Sequence, residues 1–309
     1  MRKTAFIFPG QGSQYVGMGK ELYDNFAAAR ETFGEANEAL GFGIQSLCFY
    51  GPEEELRLTA NTQPSILTVS IAALKVLRGE LGWEADYLAG HSLGEFTALV
   101  AAGAMKFYDA VKMVRLRGRF MQEAVPVGEG GMAAILGLDR EQVEKICQRA
   151  AQEDVLTPAN FNSPGQVVIS GHMRAVERGI AVARETRAKK AVLLQVSAPF
   201  HSPLMNSAGQ KLEAELAKIE INELEIAVVT NVEAEANLSK ERVRDLLVRQ
   251  VSTPVRWEES IYKMIESGVE RFVEVGPGRV LSGLVRRIDG GKEILCMEDL
   301  ASLERLKNI

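Results

Sequence analysis

A serine flanked by glycines is the first residue of this sequence whose surroundings could support catalysis. Gly90, Ser92 and Gly94 have the Gly-x-Ser-x-Gly spacing of a nucleophile elbow, a sharp turn that presents a serine hydroxyl between a strand and a helix. Glycine suits the flanking positions because the backbone approaches itself closely in such a turn and is strained. The pattern predicts a nucleophile at Ser92, but so short a pattern also fits an ordinary glycine-bounded turn.

The neighbouring residues predict the two elements that such a turn requires. Residues 87–89 are a short apolar run typical of a buried strand, and residues 95–102, which end before Gly103, are expected to form a helix. The first amides of this helix would point back at the serine. They would favour an oxyanion at that place.

A second candidate is an arginine on an apolar helix face. In the helix predicted over residues 106–124, the positions three and four residues from Arg117 are Met113, Val114, Phe120 and Met121. A buried guanidinium must find a partner, because an unpaired buried charge is destabilising. Its planar fork suits a carboxylate ligand, and the alternatives are a structural ion pair or a side chain that reaches solvent.

The three histidines of the sequence limit the search for a general base. His91 adjoins the serine and is expected to point away from it, and His172 lies in a turn far along the chain. His201 precedes a predicted helix in which Ser202 is the N-cap and Pro203 the first helical residue. A histidine there could enter a cleft as the base, or it could serve only to cap or pack the helix.

Residues 127–197 are expected to form a small unit of their own. Strands over 132–138, 155–162, 166–170 and 191–196 alternate with helices over 140–152 and 173–186, which is the β-α-β-β-α-β order of a ferredoxin-like fold. Asn160 is placed at a turn near the cleft. Turn chemistry explains its Asn- and Pro-rich surroundings equally well.

The remaining segments predict a larger α/β unit around this insert. A strand over 4–8 leads into a loop with Gly10 and Gly12, which either presents amides to a ligand or is a plain turn, and a helix opens at residues 61–64. Further elements are expected in the C-terminal part: strands over 226–230 and 271–275, and helices near 241–250, 260–267 and 280–288.

Composition excludes several classes of protein. The chain has 309 residues, of which 46% are hydrophobic and 25% charged, with a formal net charge of −5, so a nucleic-acid binder is not expected. Cys48, Cys147 and Cys296 are odd in number and lack metal-ligand spacing, which favours a reducing compartment. The apolar run after the N-terminus is too short for a signal peptide or a membrane span. We expect a cytoplasmic protein.

Together, these motifs resemble a known family over nearly the whole chain. The matching segments are residues 8–14, 62–64, 90–95, 117–118, 121–122, 160, 164–171, 200–201, 249–250, 254–257 and 274–278. They are similar to those of the malonyl-CoA:acyl carrier protein transacylases of type II fatty acid synthesis. The resemblance implies an α/β-hydrolase-like larger subdomain, residues 1–126 and 198–309, and a ferredoxin-like subdomain, residues 127–197.

The resemblance also implies a role for each motif residue. Ser92 would be acylated, His201 would be its base, and the backbone carbonyl of Gln250 would orient the imidazole. The amides of Gln11 and Leu93 would form the oxyanion hole.

Arg117 would hold the malonyl carboxylate, with Met121, Asn160 and Phe200 beside the substrate. Phe200 would disfavour the α-methyl group of methylmalonyl-CoA because of its volume, unless it only packs behind the loop.

The implied reaction is ping-pong acyl transfer, from malonyl-CoA to the phosphopantetheine thiol that the carrier protein brings. No metal or bound cofactor, no membrane and no nucleic acid are expected, and the enzyme is expected to be a monomer. Two other classes stay open. One is a serine esterase or thioesterase, which usually has an acidic residue paired with its histidine, and the other is a noncatalytic module that docks a carrier protein.

Overall fold

A computed structural model describes residues 2–196 and 198–309 as an α/β protein with two sheets. Within these residues the strands, numbered in chain order, are β1 (Lys3–Phe8), β2 (Tyr87–Gly90), β3 (Gly130–Leu136), β4 (Leu156–Ser163), β5 (Gln166–His172), β6 (Lys190–Leu193), β7 (Ala227–Val229), β8 (Ala236–Asn237), β9 (Val269–Val275) and β10 (Glu293–Met297).

The helices of the described residues are numbered in the same way. They are α1 (Lys20–Asn25), α2 (Ala27–Leu40), α3 (Ile44–Tyr50), α4 (Glu53–Arg57), α5 (Thr59–Leu81), α6 (Gly94–Ala101), α7 (Phe107–Glu123), α8 (Arg140–Ala151), α9 (Met173–Glu185), α10 (Asn206–Leu216), α11 (Lys240–Gln250), α12 (Trp257–Glu266), α13 (Val280–Ile288) and α14 (Leu300–Lys307).

The larger sheet has the strand order β10-β9-β1-β2-β7-β8 and is parallel except for β8. Its central strand β1 is buried on both faces. Phe6 packs into the cluster that contains α2, α5 and α7, whereas Ile7 packs against α12 and α13 on the opposite face. Covering helices on both faces are what a parallel sheet requires, and the alternation of side chains along β1 supplies apolar contacts to both.

The smaller sheet is antiparallel, with the order β4-β5-β3-β6, and α8 and α9 pack against it. Ile135, Ile146 and Ile169 belong to its separate apolar core. The predicted β-α-β-β-α-β order and the predicted fold class, a larger parallel-sheet unit with a smaller inserted one, are confirmed. Met1 and Ser197, which the predicted subdomain boundaries include, lie outside the described residues.

Two predicted helix starts are wrong. Helix α5 begins at Thr59, before the predicted residues 61–64, because the carbonyl of Leu58 already accepts from the amides of Asn61 and Thr62. Pro64 therefore lies inside the helix, where it has no backbone N–H to donate.

The second wrong start is the one predicted at residue 260, because α12 begins at Trp257.

The helical start predicted at Pro203, with Ser202 in the N-cap position, is confirmed, but it is a 3-10 turn without a side-chain cap. Residues Pro203–Met205 form a single 3-10 turn, and α10 follows at Asn206. The hydroxyl of Ser202 donates to the carbonyl of Pro199 at 2.7 Å instead of capping a helix.

Strand β10 and helix α14 were not predicted. The apolar signal of β10 is weak because it is a short edge strand whose residues are mostly only partly buried. In the part of the chain that the structure describes, no helix combines the length and apolarity needed to cross a membrane. The three cysteines are unpaired.

Candidate active site

The turn between β2 and α6 is the strained corner that its glycine spacing predicts. Ser92 has a φ of 53°, in the left-handed region that residues other than glycine rarely adopt. A Cβ at Gly90 would lie 1.9 Å from the carbonyl carbon of Gly94, and a Cβ at Gly94 would lie 2.1 Å from the carbonyl oxygen of Phe8. Any side chain at either glycine would therefore displace backbone.

Asn231, which follows β7, holds this corner from the side. Its Oδ1 accepts from the backbone N–H of Ser92 at 2.7 Å, and its Nδ2 donates to the carbonyl of Gly90 at 2.7 Å. The sequence analysis missed this residue. The sequence did contain a signal for it, which is an apolar strand pattern followed by a polar residue. Such a residue is expected near the elbow because the carboxyl ends of parallel strands meet at one edge of a sheet.

His201 contacts the serine hydroxyl directly. Its Nε2 lies 2.8 Å from Ser92 Oγ, and its Nδ1 lies 2.8 Å from the backbone carbonyl oxygen of Gln250. A carbonyl only accepts, so Nδ1 carries the proton and Nε2 is left to accept from the serine. Burial lowers the pKa of His201 to about 3, and the charge of Arg117 lowers it further. The imidazole is therefore neutral at pH 7, as a general base must be.

Arg117 reaches the same hydroxyl from α7. Its side chain is 1% exposed, and its Nη2 donates to Ser92 Oγ at 3.1 Å and to Gln250 Oε1 at 2.9 Å. Its Nη1 donates to Gln63 Oε1 at 2.9 Å, while Nε has no partner among the described residues. Burial lowers the pKa of Arg117 to about 10, so the guanidinium stays charged at pH 7. Within the described part of the chain its hydrogen-bond acceptors are uncharged oxygens, and its guanidinium carbon lies 5.7 Å from the centroid of the Phe96 ring.

A second buried charge lies behind this contact. The side-chain Nε2 of Gln250 donates to Ser92 O at 3.0 Å and to Glu95 Oε2 at 2.9 Å. Glu95 is 2% exposed, and burial raises the pKa of its carboxyl to about 7, against the opposing effects of its hydrogen bonds and of Arg117. One amide side chain thus bridges a buried cation and a buried acid.

Two backbone amides near the serine are the predicted donors of the oxyanion hole. Gln11, in the loop after β1, and Leu93, at the start of α6, both line the cavity that contains Ser92. Among residues 2–196 and 198–309, neither N–H donates to another group. The Leu93 amide also lies at a helix N-terminus, where the helix dipole favours negative charge.

The cavity in front of Ser92 is small. It encloses about 110 Å³, below the roughly 300–1,000 Å³ of clefts that bury a drug-sized ligand, so it suits a short acyl group. We call the hydrogen-bonded network at this cavity the polar floor: Gln63, Ser92, Arg117 and His201 line the cavity, and Gln250 accepts hydrogen bonds from Arg117 and His201. We call a group of four apolar side chains that line the cavity the apolar wall: Met132, Leu194, Val196 and Phe200.

The other predicted substrate-binding residues also line this cavity. Met121 lies on α7, and its sulfur is 3.8 Å from Gln63 Nε2. Asn160 lines the cavity from within β4, where it pairs with Val168, so its predicted place in a turn is wrong. The turn is only Pro164 and Gly165, because Gly165 with its φ of 71° closes the β4–β5 hairpin in two residues.

The two other histidines do not contact the serine side chain. His91 Nε2 lies 2.8 Å from Asn162 Oδ1, and its ring lies beside that of Trp257. His172 ends β5, and its Nδ1 accepts from the amide of Val155 at 3.0 Å.

Gln63 and Glu95 lie in two of the segments that resemble the family, but the sequence analysis predicted no role for either residue. Nothing local distinguishes a buried glutamine or glutamate from an exposed one, and helix periodicity alone left both unassigned. No cluster of three or more potential metal ligands occurs in the described residues.

The fold and the geometry around Ser92 define a protein of the serine acyl-transfer class, in which a histidine with a backbone-carbonyl partner faces the serine. The model of the family described as "Acyl transferase domain" matches residues 5–307. The chain therefore belongs to the acyl transferase family.

Named relatives cover almost the whole chain. It is 49% identical over 305 residues to the malonyl CoA-acyl carrier protein transacylase of Bacillus subtilis, covering 98% of this chain and 96% of the relative. It is 50% identical over 288 residues to the protein of the same name from Escherichia coli K12, covering 93% of each. A malonyl-transacylase solved in complex with its type II PKS acyl-carrier protein superposes with a TM-score of 0.97 at 44% identity, covering 99% of this chain and 100% of that one.

Proposed function

We propose that this enzyme transfers the malonyl group of malonyl-CoA to the phosphopantetheine thiol of an acyl carrier protein, through a malonyl-serine intermediate on Ser92, and thereby supplies fatty acid biosynthesis. The names of its relatives and the carrier-protein complex of the solved malonyl-transacylase support this substrate and this partner.

Arg117 is the observation that carries the choice of acyl group. A buried guanidinium whose hydrogen-bond acceptors among the described residues are uncharged oxygens, one of them the Ser92 hydroxyl at 3.1 Å, is poised for a carboxylate. An acyl group held there must be short and must end in an acid. Malonyl fits both conditions.

In the first half-reaction, Ser92 Oγ attacks the thioester carbonyl carbon while His201 Nε2 takes the hydroxyl proton. The tetrahedral oxyanion is bound by the amides of Gln11 and Leu93. The carbon–sulfur bond then breaks, and the coenzyme A thiolate leaves with the proton from His201. The carbonyl of Gln250 keeps the imidazole in the required tautomer throughout.

In the second half-reaction, the carrier's phosphopantetheine thiol gives its proton to His201 and attacks the carbonyl carbon of the malonyl ester. The Ser92 oxygen leaves, and His201 returns the proton to it. Met121, Asn160 and Phe200 shape the space around the acyl group. The reaction needs no metal and no bound cofactor, because malonyl-CoA and the carrier bring both reacting groups.

The remaining assignments are part of the same proposal. Residues 1–126 and 198–309 form the α/β-hydrolase-like catalytic subdomain, and residues 127–197 form the ferredoxin-like subdomain that contributes the cavity wall. The enzyme acts as a monomer in the cytoplasm.

Intact mass spectrometry tests this function. The protein mixed with malonyl-CoA should gain one malonyl group, and addition of holo carrier protein should remove that group and malonylate the carrier. Ser92→Ala should gain nothing, because no hydroxyl remains to be acylated.

Three results would contradict the proposal. A mass gain that survives in Ser92→Ala would move the nucleophile elsewhere. Loss of the malonyl group to water as fast as to the carrier would indicate a thioesterase. Absence of any acyl-enzyme would indicate a docking module.

A further inference from the structure

Glu95 is a buried acid that the mechanism above does not use. It lies one turn beyond the nucleophile on α6, and its Oε2 accepts from the backbone N–H of Asn231 at 2.9 Å and from Gln250 Nε2 at 2.9 Å. Each of these donors also contacts the elbow. A buried carboxyl placed so close to the reacting serine calls for an explanation beyond packing.

The side chain of Gln250 connects this acid to Arg117. Its Oε1 accepts from Arg117 Nη2 at 2.9 Å while its Nε2 donates to Glu95, so the amide dipole is aligned between the cation and the acid. Reversal of this amide would place a donor against the guanidinium and an acceptor against the carboxylate. The Glu95 carboxylate therefore fixes which end of Gln250 faces Arg117.

The charges around Glu95 are few. On α7 the charged group that acts on it is Arg117, and the groups that contact it from α11 and from the end of β7 are the uncharged amides of Gln250 and Asn231. His91 and His201 lie beyond Ser92 and are neutral at pH 7, because burial lowers the pKa of both. In the empty site, the positive charge of Arg117 is thus balanced by the carboxylate of Glu95.

We propose that Glu95 is a positioning residue that orients Arg117 through Gln250 and balances its charge in the empty site, and that it takes up a proton from solvent when a malonyl carboxylate reaches Arg117. This inference rests on the proposed function. Two carboxylates and one guanidinium would leave a net negative charge in a buried site, and protonation of Glu95 removes it. Because the pKa of the Glu95 carboxyl is about 7, this group gains or loses a proton readily near neutral pH.

The proposal predicts a pH dependence that is specific to the malonyl group. Above the pKa of Glu95, binding of malonyl requires proton uptake, so its acylation rate relative to acetyl should fall by up to about tenfold per pH unit. Acetyl brings no carboxylate and needs no proton at Glu95. Titration of His201 affects both substrates and cancels in the ratio.

The experiment is a competition between malonyl-CoA and acetyl-CoA for Ser92, with the initial rates of both additions read by intact mass from pH 6 to about pH 9, the span over which such a group titrates. In the wild type the malonyl-to-acetyl ratio should decline as pH rises past 7. Glu95→Gln keeps an oxygen acceptor but cannot titrate, so its ratio should be independent of pH. At high pH this ratio should exceed the wild-type ratio by on the order of fivefold or more.

Two further variants keep the test decisive. Glu95→Asp retains a carboxylate and should therefore retain the pH dependence. This variant also tests the proposal if Glu95→Gln does not fold. Arg117→Ala should lose the malonyl preference at every pH.

A wild-type ratio that does not change with pH, or a Glu95→Gln ratio with the wild-type slope, would overturn the inference and leave the proposed function intact. A wild type without malonyl preference, unchanged by Arg117→Ala, would overturn the proposed function itself.

Discussion

The polar floor and the apolar wall of the cavity are built on different physical principles. The floor side chains come from α5, the elbow, α7, the loop before α10, and α11, and hydrogen bonds of 2.8–3.1 Å connect them. Such bonds are directional, so each floor residue has one working position. The wall side chains contribute apolar contacts, which depend on volume and hardly on angle.

This difference separates two properties of the enzyme. Changes in the floor should impair the chemistry or the recognition of the carboxylate. Changes in the wall should alter which acyl group is accepted and leave the chemistry in place.

Removal of the base should have the largest effect. His201→Ala should lower the acylation rate by about 100- to 10,000-fold with the fold retained, because positioned general-base catalysis contributes that much. His91→Ala and His172→Ala are matched controls and should lose far less, since neither ring contacts the serine side chain. Rapid-quench acylation read by mass gives all three rates. A loss in either control as large as that of His201→Ala would contradict the assignment.

The same base predicts a pH profile. Because burial holds the pKa of His201 at about 3, acylation by acetyl-CoA should not decline as the pH falls through 6.5, the ordinary histidine value. A decline with its midpoint near that value would show that the imidazole titrates as if it were exposed.

Loss of Arg117, the proposed carboxylate receptor, should have the next largest effect, and the size of that effect should depend on the substrate. Arg117→Ala should weaken transition-state binding of malonyl-CoA by on the order of 2 to 5 kcal/mol relative to acetyl-CoA, which has no carboxylate to lose. Arg117→Lys should rescue only part of this loss, because an ammonium cannot form the paired contact. The measurement is kcat/KM for both thioesters. Equal losses for both would indicate that Arg117 is structural.

The smallest effect is expected in the wall. Phe200 is 8% exposed and lines the cavity, so Phe200→Ser should open space beside the α-carbon. The preference for malonyl-CoA over methylmalonyl-CoA should narrow by up to about 1 to 3 kcal/mol, mainly through a faster methylmalonyl reaction.

Competition of the two thioesters for Ser92 measures this selectivity. Met132→Leu, a swap of similar volume elsewhere in the wall, is the control and should change the ratio little. An unchanged ratio in Phe200→Ser would mean that this ring only packs behind the loop.

The sequence by itself determined the features that follow from local patterns. The glycine spacing predicted the corner at Ser92, and helical periodicity placed Arg117 on a buried face. Alternating strand and helix patterns predicted the order in which strands and helices follow one another along the smaller unit. The ends of several elements differ from the predicted ones. Helix α5 begins earlier than predicted because the carbonyl of Leu58 already accepts helical hydrogen bonds, and the turn after Asn160 is shorter than predicted because Gly165 closes it.

Only the tertiary structure decided what surrounds the serine. Hydrogen bonds bring Gln63, Glu95, Asn231 and the side chain of Gln250 together around Arg117 and the Ser92 corner, at the end of the neighbouring strands β2 and β7. The contact between Arg117 and Gln250 joins residues 133 positions apart. A buried polar side chain is stable only with its partners in place, and no periodicity in the chain encodes which distant residues those partners will be.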